Sequence, residues 1–155
     1  KMADLLVKLY DFKMPEEASA PKGIRIFRPM TPDRKFVTDF VRENFGRQWA
    51  SECETAFFDF PVRMWVAADG KEIVGFACYE CTCRGFFGPT GVASAYRGKG
   101  IGKLLLWHCL EGLKELGYAY AVIGGVEKKN YGFYSKTCGA APIEGSDESI
   151  YKNLL

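Results

Sequence analysis

Tyr96-Arg97-Gly98-Lys99-Gly100-Ile101-Gly102-Lys103 runs straight into a leucine-rich stretch, and that junction decides how the chain is read. Leu106, Leu110, Leu113 and Leu116 recur three or four residues apart, which is the period of a helix. The alternate glycines leave the backbone ahead of this helix without Cβ atoms, so a ligand can approach its amides closely. The first turn of a helix carries orphan N–H groups and a partial positive charge, which acidic side chains normally offset. Here Arg97, Lys99 and Lys103 gather instead, and no acid appears until Glu111. A positive helix end dressed with more positive charge lacks its anion. A phosphate or pyrophosphate supplies one.

Two common phosphate loops do not fit. The Walker A pattern needs a glycine at position 97 and Ser or Thr after the lysine, whereas the chain has Arg97 and Leu104. The dinucleotide fingerprint needs a third glycine where Lys103 stands. The spacing that does fit is Arg97-x-x-Gly100-x-Gly102, preceded by Val92-x-x-x-Tyr96. This stretch resembles the acetyl-CoA pyrophosphate loop of the GNAT superfamily of N-acetyltransferases. The resemblance covers roughly Ile24 to Leu154. It implies a mixed α/β fold: a central, mostly antiparallel twisted sheet, splayed between its fourth and fifth strands, with helices on both faces. Residues 23–155 then form the acetyltransferase-like domain, and residues 1–22 an N-terminal strand and linker.

Composition narrows the function classes. The chain has 155 residues and 48% apolar content, enough for one domain with a real core. Its net charge is only +2 and the charges are interspersed, which argues against a nucleic-acid surface. No apolar run approaches a membrane span, and Lys1–Phe12 does not read as a signal peptide, so a cytoplasmic protein is expected. The six cysteines read as reduced thiols. Cys78, Cys81 and Cys83 fall on one expected strand with Cys78 on the opposite face, and His108 has no partner at ligand spacing, so no metal is expected.

Along the chain, Leu5–Tyr10 reads as a strand, Met14–Lys22 as a linker and Ile24–Arg28 as a second strand. Thr31 and Pro32 open a helix reaching about Phe45, and Trp49–Phe58 is helical. Val62–Ala68 and Ile73–Thr82 form a hairpin through Asp69-Gly70. Phe86–Ala93 is a strand, Tyr120–Val126 a buried strand, and Lys129–Cys138 a short helix. Pro142–Ile143 and Ile150–Leu154 are expected to pair last.

Gly88, Pro89 and Gly91 inside one strand mark a bulge or a splayed edge. A splay from Tyr120–Val126 leaves amides facing a gap. The resemblance implies that this gap holds the pantetheine arm beside Val92 and Ala93, with the amide of Gly91 or Val92 on the thioester carbonyl, where it would stabilise an oxyanion. It also places the Phe133-Tyr134 pair near the departing sulfur. A phenol with a pKa of about 10 is protonated at neutral pH and can give its proton to a thiolate. Tyr131 is a rival for this role, and Asn130 and Gly139 depart from the family spacing. For a general base, Glu80 stands out as a carboxylate in an apolar strand. Glu52 and Glu54 are alternatives, and Trp49, Phe87 and Arg84 are candidate pocket residues by position. No histidine pairs with Cys138 or Cys78, so direct attack by the acceptor amine is expected rather than a covalent enzyme intermediate.

The expected activity is thus transfer of an acetyl group from acetyl-CoA to the amine of a small molecule or peptide. The site is Gly91, Val92, Ala93 and Arg97–Lys103 (Arg97, Gly98, Lys99, Gly100, Ile101, Gly102, Lys103) for the coenzyme, with Tyr134 and Glu80 catalytic. A non-catalytic acyl-CoA-binding module is the alternative. The resemblance also allows a homodimer.

Overall fold

A computed structural model describes residues 1–16 and 18–155. The expected linker includes Glu17, which lies outside the described residues. The elements are β1 (Met2–Lys8), β2 (Ile24–Phe27), α1 (Arg34–Phe45), α2 (Arg47–Glu54), β3 (Met64–Asp69), β4 (Glu72–Tyr79), β5 (Phe86–Val92), α3 (Ile101–Glu115), β6 (Tyr120–Glu127), α4 (Tyr131–Cys138) and β7 (Ala141–Pro142). The strands form one sheet in the order β2-β3-β4-β5-β6-β1-β7. Every neighbouring pair is antiparallel except β5 and β6. The expected mixed sheet with helices on both faces is present. No helix among the described residues is long and apolar enough to cross a membrane.

Alternation along β4 explains the layering, because successive side chains of a strand point to opposite faces. Phe76 and Cys78 join the core under α1 and α2 with Val37, Val41, Ala50 and Cys53. Ala77 and Tyr79 join the core under α3 with Leu105, Cys109, Leu110 and Leu113. Leu106, Leu110 and Leu113 of the leucine period thus land on the sheet, whereas Leu116 lies past the end of α3 and is exposed. Gly117, with φ +96°, turns the chain away.

Several local expectations need correction. A 3-10 turn over Thr31–Asp33 precedes α1, and Thr31 makes no capping bond. The helix expected over Trp49–Phe58 is α2 followed by a 3-10 turn from Thr55. β4 stops at Tyr79 rather than Thr82, because Glu80 takes φ +62° and reverses the chain. Cys81 is therefore not on the strand; it lies past its end and faces Cys78. Cys78 in turn lies 3.6 Å from Cys53, sulfur to sulfur. All six cysteines are free thiols, and no group among the described residues is arranged to hold a metal ion.

The expected pairing of Pro142–Ile143 with Ile150–Leu154 does not form. Ile150–Asn153 is a 3-10 turn, and β7 pairs instead with β1, which lies between β6 and β7. The first strand of the chain is therefore interior to the sheet, and Leu5 and Val7 are fully buried.

Candidate functional site

The sheet opens where β5 meets β6. They share only two rungs, Phe86 with Val122 and Phe87 with Ile123. Both strands then deform. The register of β5 against β4 slips between Ala77 and Tyr79, which puts the irregularity at Gly88-Pro89. The register of β6 against β1 slips between Ala3 and Leu5, so that Gly124 and Gly125 oppose the single residue Asp4. Two bulges placed just after the last shared rung bend the strands apart.

The register also decides which amides face the gap. In an antiparallel ladder, a strand's hydrogen-bonding groups alternate between its two sides. Ala93 donates to the Val74 carbonyl at 2.8 Å, and Gly91 pairs with Phe76. Gly91 and Ala93 thus spend their amides on β4, whereas Thr90 and Val92 turn theirs toward the gap. The Val92 carbonyl also faces outward and accepts from Arg97 Nε at 3.0 Å. Gly91 has a packing reason instead: a Cβ there would sit 2.5 Å from the Phe45 ring.

At the same end of the cleft, α3 begins with Gly100 in the left-handed region (φ +81°) and with no side-chain cap. Leu104 is the first helical residue whose amide reaches back to a protein carbonyl, that of Gly100 at 3.3 Å. Among the described residues, the amides from Gly98 to Lys103 donate to no protein group. No acid stands in the first turn. Gly102 lies beside Val92, where a Cβ would come 3.7 Å from the valine side chain. Lys99 sits 5.3 Å above the Tyr96 ring and Lys103 5.4 Å from that of Trp107, so both cations flank the loop against aromatic faces. Open amides, a helix dipole and adjacent cations suit a diphosphate.

Two cavities meet at Tyr134. The smaller, about 340 Å³, runs from Gly102 and Arg97 past Val92 to Asn130 and Tyr134. The larger, about 1120 Å³, extends from Phe87 and Tyr134 between the parted strands to α2. Phe87, Thr90, Asn130 and Tyr134 line both. The Tyr134 ring packs edge-on against Phe87 and Phe133, with centroids 6.4 and 5.1 Å away. Burial pushes its phenol up to about 12. The same burial pushes Cys138 up to about 11, and its thiol donates to the Tyr134 carbonyl at 3.2 Å. Tyr131 packs on the core and lines neither cavity.

The carboxylates are not placed alike. Glu80 lines neither cavity; its carboxylate accepts the Gly85 N–H and closes the turn between β4 and β5. Its apolar neighbours mark the end of β4. Glu54 is exposed and Arg84 lies outside both cavities. Glu52 does line the larger cavity, where its carboxylate accepts from the Thr82 hydroxyl. Trp49 and Tyr151 stand in the same wall. Thr82 and Tyr151 escape sequence reasoning because nothing periodic links them to α2; only the chain reversal at Glu80 and the turn at Ile150 bring them there.

Comparison with known proteins agrees with this architecture. The Acetyltransferase (GNAT) family model matches residues 34–140. No curated protein matches the chain. Among solved structures, a GCN5-related N-acetyltransferase from Sphaerobacter thermophilus superposes with a TM-score of 0.73 at 22% identity, over 92% of this chain and 48% of that one. A GCN5-related glucosamine N-acetyltransferase region of a fungal multi-domain GH3 β-N-acetylglucosaminidase gives 0.73 at 20% identity, over 92% of this chain and 20% of that one. A GNAT family acetyltransferase from Brucella melitensis, solved in complex with acetyl-CoA, gives 0.55 at 18% identity, over 71% and 80%. The chain thus spans about half of the Sphaerobacter chain and a fifth of the fungal one. With its family model matched over residues 34–140, well over half its length, the chain belongs to the GNAT family of acetyltransferases.

Proposed function

We propose that the protein is an acetyl-CoA-dependent N-acetyltransferase that passes the acetyl group directly to a primary amine. The observation that carries this reading is the continuity of the cleft: open amides at the start of α3, then the Val92 amide, then Tyr134 at the mouth of a second cavity. In this reading Gly98–Lys103 hold the diphosphate, and Arg97 releases the Val92 carbonyl so that the pantetheine amides can pair there. The Val92 amide, rather than that of Gly91, polarises the thioester carbonyl.

Tyr134 stabilises and protonates the departing sulfur. A phenol near 12 is a weak acid for a thiol of ordinary pKa, about 8.5. Burial raises a thiol's pKa as well, which narrows that gap. Glu52 receives the acceptor amine in the larger cavity and takes its proton, directly or through water. Cys138 is held protonated and Cys78 is buried against Cys53, which favours direct attack over an acyl-cysteine route.

The test is a panel of primary amines incubated with the protein and acetyl-CoA, followed by release of free thiol and the mass of each amine. Acetylated product that depends on both protein and acetyl-CoA is expected. Tight acetyl-CoA binding without transfer to any amine would instead favour a non-catalytic acyl-CoA-binding module.

A further inference from the structure

Beside the gap between β5 and β6 the structure buries an acid. Asp4 lies on β1, outside the matched span 34–140, and is only 8% exposed. It stands opposite Gly124-Gly125, the two-against-one bulge of β6. The bulge takes the Gly125 amide out of the ladder, and Asp4 Oδ1 accepts it at 2.8 Å. The same oxygen accepts the Ser149 hydroxyl. The Asp4 backbone holds the same loop: its amide donates to Ser146 Oγ at 2.8 Å, and its carbonyl accepts from Ile143 at 2.8 Å.

This network reaches one wall of the larger cavity, at Tyr151. Gly125 adopts φ +63°, and a Cβ on it would sit 2.9 Å from the Tyr151 ring, so the segment fixed through Ser149 lays Tyr151 over the bulge. Gly124 meets the Phe86 ring at 2.9 Å in the same sense, on the β5 side. A buried amide without an acceptor is costly, so losing the Asp4 oxygen favours any rearrangement that returns the Gly125 N–H to a ladder. The register that does so removes the bulge and straightens β6 toward β5.

We propose that Asp4 is a positioning residue for acyl-CoA binding: by accepting the Gly125 amide, it holds the β6 bulge that keeps the cleft open. The inference rests on the proposed reading of that cleft as the acyl-CoA site. It assigns to the first strand a part in the site, although that strand contributes only Met2 to the cavity wall.

The test compares acetyl-CoA dissociation constants by calorimetry, and amide exchange at Gly124–Glu127, in the wild type, Asp4→Ala, Asp4→Asn and Val37→Ala. Val37→Ala removes buried volume under α1, far from the bulge, and reports destabilisation alone. Asp4→Ala is expected to weaken binding about tenfold and to speed exchange of the Gly125 amide. Asp4→Asn keeps an acceptor oxygen and is expected to stay within about threefold of wild type. Val37→Ala is expected to melt earlier with unchanged affinity. Equal affinity in Asp4→Ala and wild type, or equal losses in Asp4→Ala and Val37→Ala, would overturn the proposal. Should Asp4→Ala not fold, Ser149→Ala is measured in its place, with a loss of about threefold expected and an unchanged constant overturning it. A wild type that binds no acetyl-CoA would defeat the functional reading itself, not the role of Asp4 in the bulge, which exchange at Gly125 reports independently.

Discussion

The cleft beside α3 and the cavity beneath α2 meet at Tyr134 but are made of different materials. The cleft is mostly backbone: amides from Gly98 to Lys103, and the Val92 amide and carbonyl. The cavity shares the bulged backbone at Gly88-Pro89 and Gly124-Gly125 and adds side chains, with Trp49, Glu52, Thr82 and Tyr151 arriving from three separate segments. A backbone site recognises what is common to a ligand class, such as a diphosphate and an amide-bearing arm. A side-chain site recognises what is particular. The division suits an enzyme with a fixed donor and a variable acceptor, and it makes the two halves separable by substitution.

The sharpest separation is Gly102→Glu. A Cβ has room there, and an acid in the first turn of α3 complements the helix dipole. Its carboxylate nonetheless stands where a diphosphate would sit. Acetyl-CoA binding is expected to fall more than about 100-fold, while the melting temperature holds or rises. Binding that survives would break the assignment of the backbone half. Tyr134→Phe comes next, at the junction: kcat is expected to drop about 100-fold with acetyl-CoA affinity within about threefold. On the side-chain half, Glu52→Gln is expected to lower kcat/KM for the amine by roughly tenfold with donor affinity unchanged. Glu80→Gln, which perturbs only a turn, is expected to leave turnover within about twofold.

This contrast also explains what is legible in the sequence. The glycine-and-lysine loop and the leucine period of α3 are local signals, so they suffice by themselves to put Arg97–Lys103 at the helix start. The gap is legible from Gly88 and Pro89, because such residues have few uses inside a strand; Gly91, read with them, is there for the Phe45 ring instead. Whether the Gly91 or the Val92 amide faces that gap is not legible, since it depends on register, and register is set by pairing with β4. The place of Glu80 is not legible for a related reason. Its positive φ ends β4 early, and nothing in Tyr79-Glu80-Cys81-Thr82 announces the reversal. The placement of β1 beside β6, and of Asp4 against the bulge, depends on contacts more than a hundred residues apart along the chain. No periodic pattern encodes them.

Two smaller effects refine the picture. Gly91→Ala would press a methyl group into the Phe45 ring, and is expected to cost about 2 kcal/mol by chemical denaturation, an effect on packing rather than on the cleft's amides. The Tyr134 phenol, pushed up to about 12 from an ordinary value of 10.0, favours the neutral form in the fold. Its contribution to stability is therefore complete below about pH 10 and lost as pH rises toward 12. Between those values the wild type is expected to lose stability more steeply than Tyr134→Phe. For the same reason, turnover should not show a Tyr134-dependent decline centred near pH 10.

In the proposed function, open backbone amides, and not the larger cavity's side chains, hold the acyl donor. Titrating uniformly ¹⁵N-labelled protein with acetyl-CoA, and following every backbone amide, tests it most directly. The largest shifts are expected at Gly98–Lys103, Thr90 and Val92, with Gly91, Ala93 and Glu80 moving little. Saturable binding that leaves Gly98–Lys103 and Val92 unmoved, with shifts confined to α2 and the turn around Thr82, would contradict it.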